Sequence, residues 1–175
     1  MITKDYFLSN PLFIPQGKPN NGVSADIYST DIKELERAIA LYEREYMIYL
    51  LGSELYSEYI SDMADTEKAL KWVDFNTKLN DSTLKVSPIA NYIYCKYVED
   101  NSMQYNGRVF TTEKKENQDV IGMEKKLISE WNRGVEMTSN FINWLVLNPV
   151  ETTAEIDTSY WDTLTDYKNY FGVWC

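Results

Sequence analysis

Apolar side chains recur every three or four residues through most of the chain, and this spacing predicts a series of amphipathic helices. The first is expected to begin at Asp31, an N-cap residue with Glu34 three positions later as a capping-box partner. Ile32, Leu35, Ile39, Tyr42, Tyr46, Tyr49 and Leu50 form its apolar face, and Glu34, Glu36, Arg37, Glu43 and Arg44 fall mainly on the other. Gly52 is expected to end this helix or permit a close crossing, with Ser53 capping a second helix that carries Leu55, Tyr59 and Ile60. A third is predicted over Asp65 to Asn80, capped by Asp65 or Thr66, with Leu70, Val73 and Trp72 facing inward. After a loop at Asn80-Asp81-Ser82, Ser87 and Pro88 open a fourth helix with Ile89, Ile93 and Tyr97 as its inner stripe. The longest is expected from about Val120 to Asn148, with Val120, Met123, Leu127, Trp131, Val135, Thr138, Ile142 and Leu145 on one face, and Pro149 stops it.

Three segments break the periodicity. Residues 1–30 are punctuated by Pro11, Pro15, Gly17, Pro19 and Gly22 and are expected to form an arm on the body or on a neighbour, with Leu12 to Pro15 extended or a short edge strand. Residues 101–119 are polar, and Asn106-Gly107 is a hairpin signal between Met103-Gln104-Tyr105 and a second short strand starting at Arg108. Residues 149–175 begin polar and acidic, then hold Tyr160, Trp161, Tyr167, Tyr170, Phe171 and Trp174. The expected fold is therefore mainly α: a bundle of about five helices over residues 31–148, with an extended N-terminal arm, a projecting hairpin-like loop and an aromatic C-terminal docking tail.

Composition adds constraints. The chain of 175 residues is one domain's worth and long enough to bury a core without disulfides or metals. Aromatic residues make up 14%, most of them tyrosine, which suits surfaces buried on assembly. A net charge of −10 argues against binding nucleic acid through its phosphates, yet an acidic wall would let a duplex slide past without sticking. Cys95 and Cys175 are expected to be reduced thiols, and the first ten residues, MITKDYFLSN, lack the apolar core of a secretory signal, so assembly in a cytosol is expected. No run approaches the length of a membrane helix.

Candidate chemistry is sparse. With no histidine in the chain, a Ser–His–Asp triad or a Cys–His pair cannot be built. Glu54 and Glu58 share a helix face and could contribute to a divalent-metal site of a hydrolase, although a solvated surface is the plainer expectation. No catalytic, metal or cofactor residue is assigned. Lys114-Lys115, with Arg108, forms a small basic spot in the central loop, suited either to solvent or to an acidic partner or phosphate. The tail aromatics are expected either to cover their own core or to dock on another chain, with Trp161, Tyr167, Tyr170, Phe171 and Trp174 as interface anchors.

Several stretches together resemble small head–tail connector proteins of tailed bacteriophages, especially those of crAss-like phages of gut bacteria. They are Leu50-Leu51-Gly52 followed by Leu55-Tyr56, Trp72 in a short third helix, a tyrosine-rich helix opened by Pro88, a polar loop with Gly107 and Glu116-Asn117, and Trp131-Asn132 in the long helix. The resemblance spans roughly residues 31–148 and excludes the two ends. It implies a non-enzymatic adaptor in the neck of a virion, assembled in the host cytoplasm without cofactor or membrane. Such an adaptor would form a ring, with twelve copies implied, between the portal protein and the tail or further neck proteins. DNA would pass through it unbound.

Overall fold

The computed structural model describes residues 2–14, 25–104, 121–148 and 156–168, with side chains over 2–14, 32–100, 125–148 and 156–168. Their order is a 3-10 turn at Lys4–Phe7, α1 (Ala25–Leu51), α2 (Ser53–Ala64), α3 (Leu70–Leu79), α4 (Pro88–Gln104), α5 (Ile121–Leu147), a second 3-10 turn at Thr158–Tyr160, and α6 (Trp161–Thr165). The fold is mainly α, with six α-helices and no sheet among the described residues. An isolated bridge joins Asp81 and Val86.

The centre is α4, packed between α1 and α5. Every residue from Ser87 to Cys95 is buried, so this helix has no solvent face over its first two turns. Pro88 opens it as expected. The Ser87 hydroxyl accepts the Ile89 N–H at 3.2 Å and donates to Asn80 Oδ1 at 2.6 Å, joining the cap to the preceding turn. α5 approaches α4 through Gly134, where a Cβ would lie 3.0 Å from Asn91 Cβ. Asn91 fixes that crossing by donating to the Glu130 carbonyl at 2.8 Å. α1 meets α5 directly where Tyr46 and Thr138 share a buried hydroxyl contact of 2.7 Å.

Three features depart from the sequence expectations, and one open alternative is decided. α1 begins at Ala25, so Asp31 lies inside a helix. Extending a formed helix costs far less than nucleating one, and a good internal N-cap signal does not stop it. Of the alternatives for the N-terminal arm, residues 2–14 take the body: Ile2, Tyr6, Phe7, Leu12 and Ile14 are all buried, and no strand forms there. α3 starts at Leu70, not Asp65, because the Asp62 carboxylate at the end of α2 accepts the Ala69 N–H at 3.0 and 3.2 Å and caps it from outside. Its inward face keeps only Trp72 of the three residues expected there: Leu70 is 79% exposed and Val73 is exposed, while Trp72, Phe75 and Leu79 are buried.

Rings explain the choice of face on α3. Trp72 meets Tyr59 edge-on at 5.3 Å between centroids, and Phe75 meets Phe141 at 5.0 Å. These contacts bury more area than Leu70 and Val73 would, with favourable edge-to-face geometry. Met103 and Gln104 continue α4, so they are not hairpin strand residues. The hairpin turn itself lies outside the described residues. The sixth helix is the tail's own, and it raises the count above the five expected.

Candidate functional site

The best-defined local site is built by α1, α5 and the C-terminal segment. α1 ends at Leu51, which leaves its last carbonyls without helical partners. Gly52 then takes φ 79° and ψ 164°, a backbone conformation open essentially only to glycine, and starts α2. Asp157 fills the notch this creates: a Cβ on Gly52 would sit 3.0 Å from Asp157 Cβ. The close approach expected at Gly52 is therefore real, but it is with the C-terminal segment and not a crossing of the first two helices. The N-cap of α2 is Gly52, and Ser53, expected as the cap, is the first residue inside the helix.

From Asp157 onward the segment follows the body. The Asp157 carboxylate accepts the Ser159 N–H at 3.0 Å, and the Ser159 side-chain and backbone bonds hold its pKa below the ordinary carboxylate value. Tyr160 stacks on Tyr49 at 5.6 Å. The Trp161 indole N–H donates to the Leu50 carbonyl at 2.9 Å, satisfying one of the orphan acceptors of α1. Leu164 is 3% exposed and fits against Tyr46, Tyr92, Trp131, Val135 and Thr138.

Trp131 and Asn132 then read the main chain. The Trp131 indole N–H donates to the Asp166 carbonyl at 2.8 Å. The Asn132 side-chain amide donates to the Lys168 carbonyl at 2.8 Å and accepts the Lys168 N–H at 2.9 Å, as a neighbouring strand would. The Lys168 ammonium lies 4.2 Å from the centre of the Trp131 ring and 2.6 Å from Glu99 on α4.

Of the expected interface residues, Trp161 is half-buried on its own chain and Tyr167 is 47% exposed beside the clamp. Tyr170, Phe171, Trp174, Arg108, Lys114 and Lys115 lie outside the described residues. Sequence patterning did not single out Leu164, Glu99 or Lys168. The local signal for Leu164 is one aliphatic residue in a run of aromatics and acids, and nothing near Lys168 marks it as the partner of a residue far away on α4.

The carboxylates are dispersed. Glu54 stands in solvent, and Glu58, also exposed, pairs with Lys71 at 2.5 Å. Tyr92 donates to Glu45 at 2.5 Å and Tyr42 donates to Asp100, two ties between α1 and α4. Burial first, then these acidic partners, push both phenols well above their ordinary value. Among the described residues no three Cys, Asp or Glu side chains gather to hold a metal, and no helix is long and apolar enough to cross a membrane.

An open groove of about 560 Å³ lies between residues 2–5, α1 and α2, walled by Ile2, Ile39, Met47, Tyr59 and Ile60. Glu43 lines it and accepts the Ile2 N–H at 3.2 Å, and burial raises its pKa despite that bond. Elsewhere Leu41, Leu84, Val146 and Leu147 present apolar side chains to solvent, as do Leu70 and Val73.

No protein-family model matches the chain, and searches of curated proteins and of solved structures return no match.

Proposed function

We propose that the chain is a structural subunit of a bacteriophage head–tail connector, forming a ring that joins the portal to the tail and lines the DNA channel. One observation carries most of the weight. The Leu50-Leu51-Gly52 corner and the Trp131-Asn132 pair, far apart in sequence and both part of the connector resemblance, form a single site that holds the C-terminal segment. Residues that would otherwise be isolated likenesses thus have one joint physical role.

Charge and surface agree with this reading. The net charge of −10 suits the wall of a channel through which phosphates must slide. The exposed apolar residues at the end of α5 and on α3 offer places for neighbouring subunits. The carboxylates of a hydrolase would have to converge, and Glu58 is instead paired with Lys71 at the surface. In this proposal the ring of twelve copies assembles in the host cytoplasm, resides in the virion neck and needs no cofactor.

Light scattering after size exclusion, with and without the portal protein of the same particle, tests the proposal. The expected result is a ring-sized species that forms or is strengthened on the portal. A chain that stays monomeric at every concentration, with or without the portal, would overturn it.

A further inference from the structure

The clamp on α5 has an unusual construction for a purely internal contact. It grips main-chain atoms of an extended stretch from two sides, through Trp131 to Asp166 and through both polar ends of the Asn132 amide to Lys168. It then reads one side chain, Lys168, with the Trp131 ring and the Glu99 carboxylate. This is how a protein recognises an extended peptide, with backbone bonds for affinity and a side-chain pocket for register.

We infer that this clamp takes the C-terminal segment of a second copy, so that residues 156–168 are exchanged between neighbours in the assembly. The inference rests on the connector reading only for the presence of neighbouring copies. Among the described residues, the segment's ties to the body, from Asp157 at Gly52 to Lys168 at Glu99, are made to elements ending at or before Asn148. A second copy offers the same contacts at the same energy, which makes exchange of an identical element a low-cost route to association.

Two further features favour exchange once copies are held in a ring. Residues 149–155 join α5 to the segment, and their sequence, PVETTAE, is mostly polar, without a large aromatic or a run of aliphatic residues. Val146 and Leu147, at the end of α5 where the chain departs, are 64% and 79% exposed. A segment crossing to a neighbour brings that end of α5 against it and gives both side chains a surface to cover. Within a ring the local concentration of the neighbour's clamp is high, so crossing needs no new affinity.

The contact between Lys168 and Glu99 supplies its own reporter. Ordinary and heavy-nitrogen-labelled full-length chains are mixed in equal amounts before assembly. The assembled protein is treated with a carbodiimide, which joins an ammonium to a carboxylate in contact, and the linked peptides holding Lys168 and Glu99 are weighed by mass spectrometry. Exchange predicts that about half of those pairs combine one light and one heavy peptide, the random share for two identical partners. Lys168→Ala should abolish the linked species, confirming which ammonium reacts. Assembled rings whose pairs are all light–light or heavy–heavy would overturn exchange while leaving the connector proposal intact. A protein that remains monomeric with same-isotope pairs would overturn both.

Discussion

Tyr46 is completely enclosed between α1, α4 and α5, and burial pushes its phenol well above the ordinary value. Its hydroxyl meets Thr138 at 2.7 Å, and Thr138 in turn bonds the Gly134 carbonyl at 2.8 Å. The two members of the pair are therefore not equivalent. Thr138→Val strands the Tyr46 hydroxyl in an apolar interior and should cost about 1–3 kcal/mol, whereas Tyr46→Phe leaves Thr138 satisfied by Gly134 and should cost about 0.5–1.5 kcal/mol. Urea unfolding of both variants decides this, and a Tyr46→Phe loss as large as that of Thr138→Val would refute the asymmetry. Glu43 gives a pH-dependent counterpart. Its folded-state pKa lies above the ordinary 4.5 because of burial. A carboxyl raised in this way binds its proton more readily when folded. Its contribution is present below the ordinary value and is lost as pH rises through the raised one. Glu43→Gln keeps an acceptor for the Ile2 N–H but has no charge to desolvate. Its stability relative to the parent should therefore improve as pH climbs from acid toward neutrality, and unfolding midpoints that differ by a constant amount across that range would count against the buried carboxylate.

Between elements, Gly52 is the joint with the least freedom, since it has a positive φ and also has Asp157 at 3.0 Å from a would-be Cβ. Gly52→Ala should cost roughly 1–3 kcal/mol from the backbone conformation alone, and Gly52→Val more, because its branches must also displace the C-terminal segment. Equal midpoints for parent and Gly52→Ala in urea would show that the joint relaxes freely. The element level is also where the sequence was most and least informative. α2, α4 and α5 were legible because apolar spacing is written along each helix, and Pro88 and Pro149 mark boundaries of α4 and α5. The start of α1 was not, because Asp31 is an adequate cap and yet lies inside a helix that begins at Ala25. On α3 Leu70 and Val73 were expected inside together with Trp72, but Trp72 is buried with Phe75, and only the positions of Tyr59 and Phe141 decide this. The burial of α4 on all sides was hidden by its tyrosines, whose hydroxyls suggest exposure although Tyr92 reaches back to Glu45.

At the scale of the whole molecule, the described part of the C-terminal segment completes the subunit's core, and the residue that does so is Leu164 rather than one of the aromatics expected to anchor a partner. It occupies a site bounded by α1, α4 and α5, so it touches all three central helices at once. Fully burying a leucine is worth about 1.5–3 kcal/mol in area removed from water. Leu164→Ala should cost about 2–5 kcal/mol, because the surrounding helices cannot collapse onto the space. Removing residues 149–175 takes away that side chain together with the partners of Leu50, Trp131 and Asn132. A domain of this size holds only about 5–15 kcal/mol of net stability, so the shortened chain should keep most of its helical circular dichroism but unfold at a much lower urea midpoint. It should also bind a hydrophobic dye at the opened site, where Tyr46 and Trp131 lose their cover. Leu164→Ala separates the two contributions: a truncated chain no less stable than this point variant would mean that Leu164 alone secures the segment. A truncated chain as stable as the parent would show instead that the body is complete without its tail, and that the segment serves only contacts with other chains.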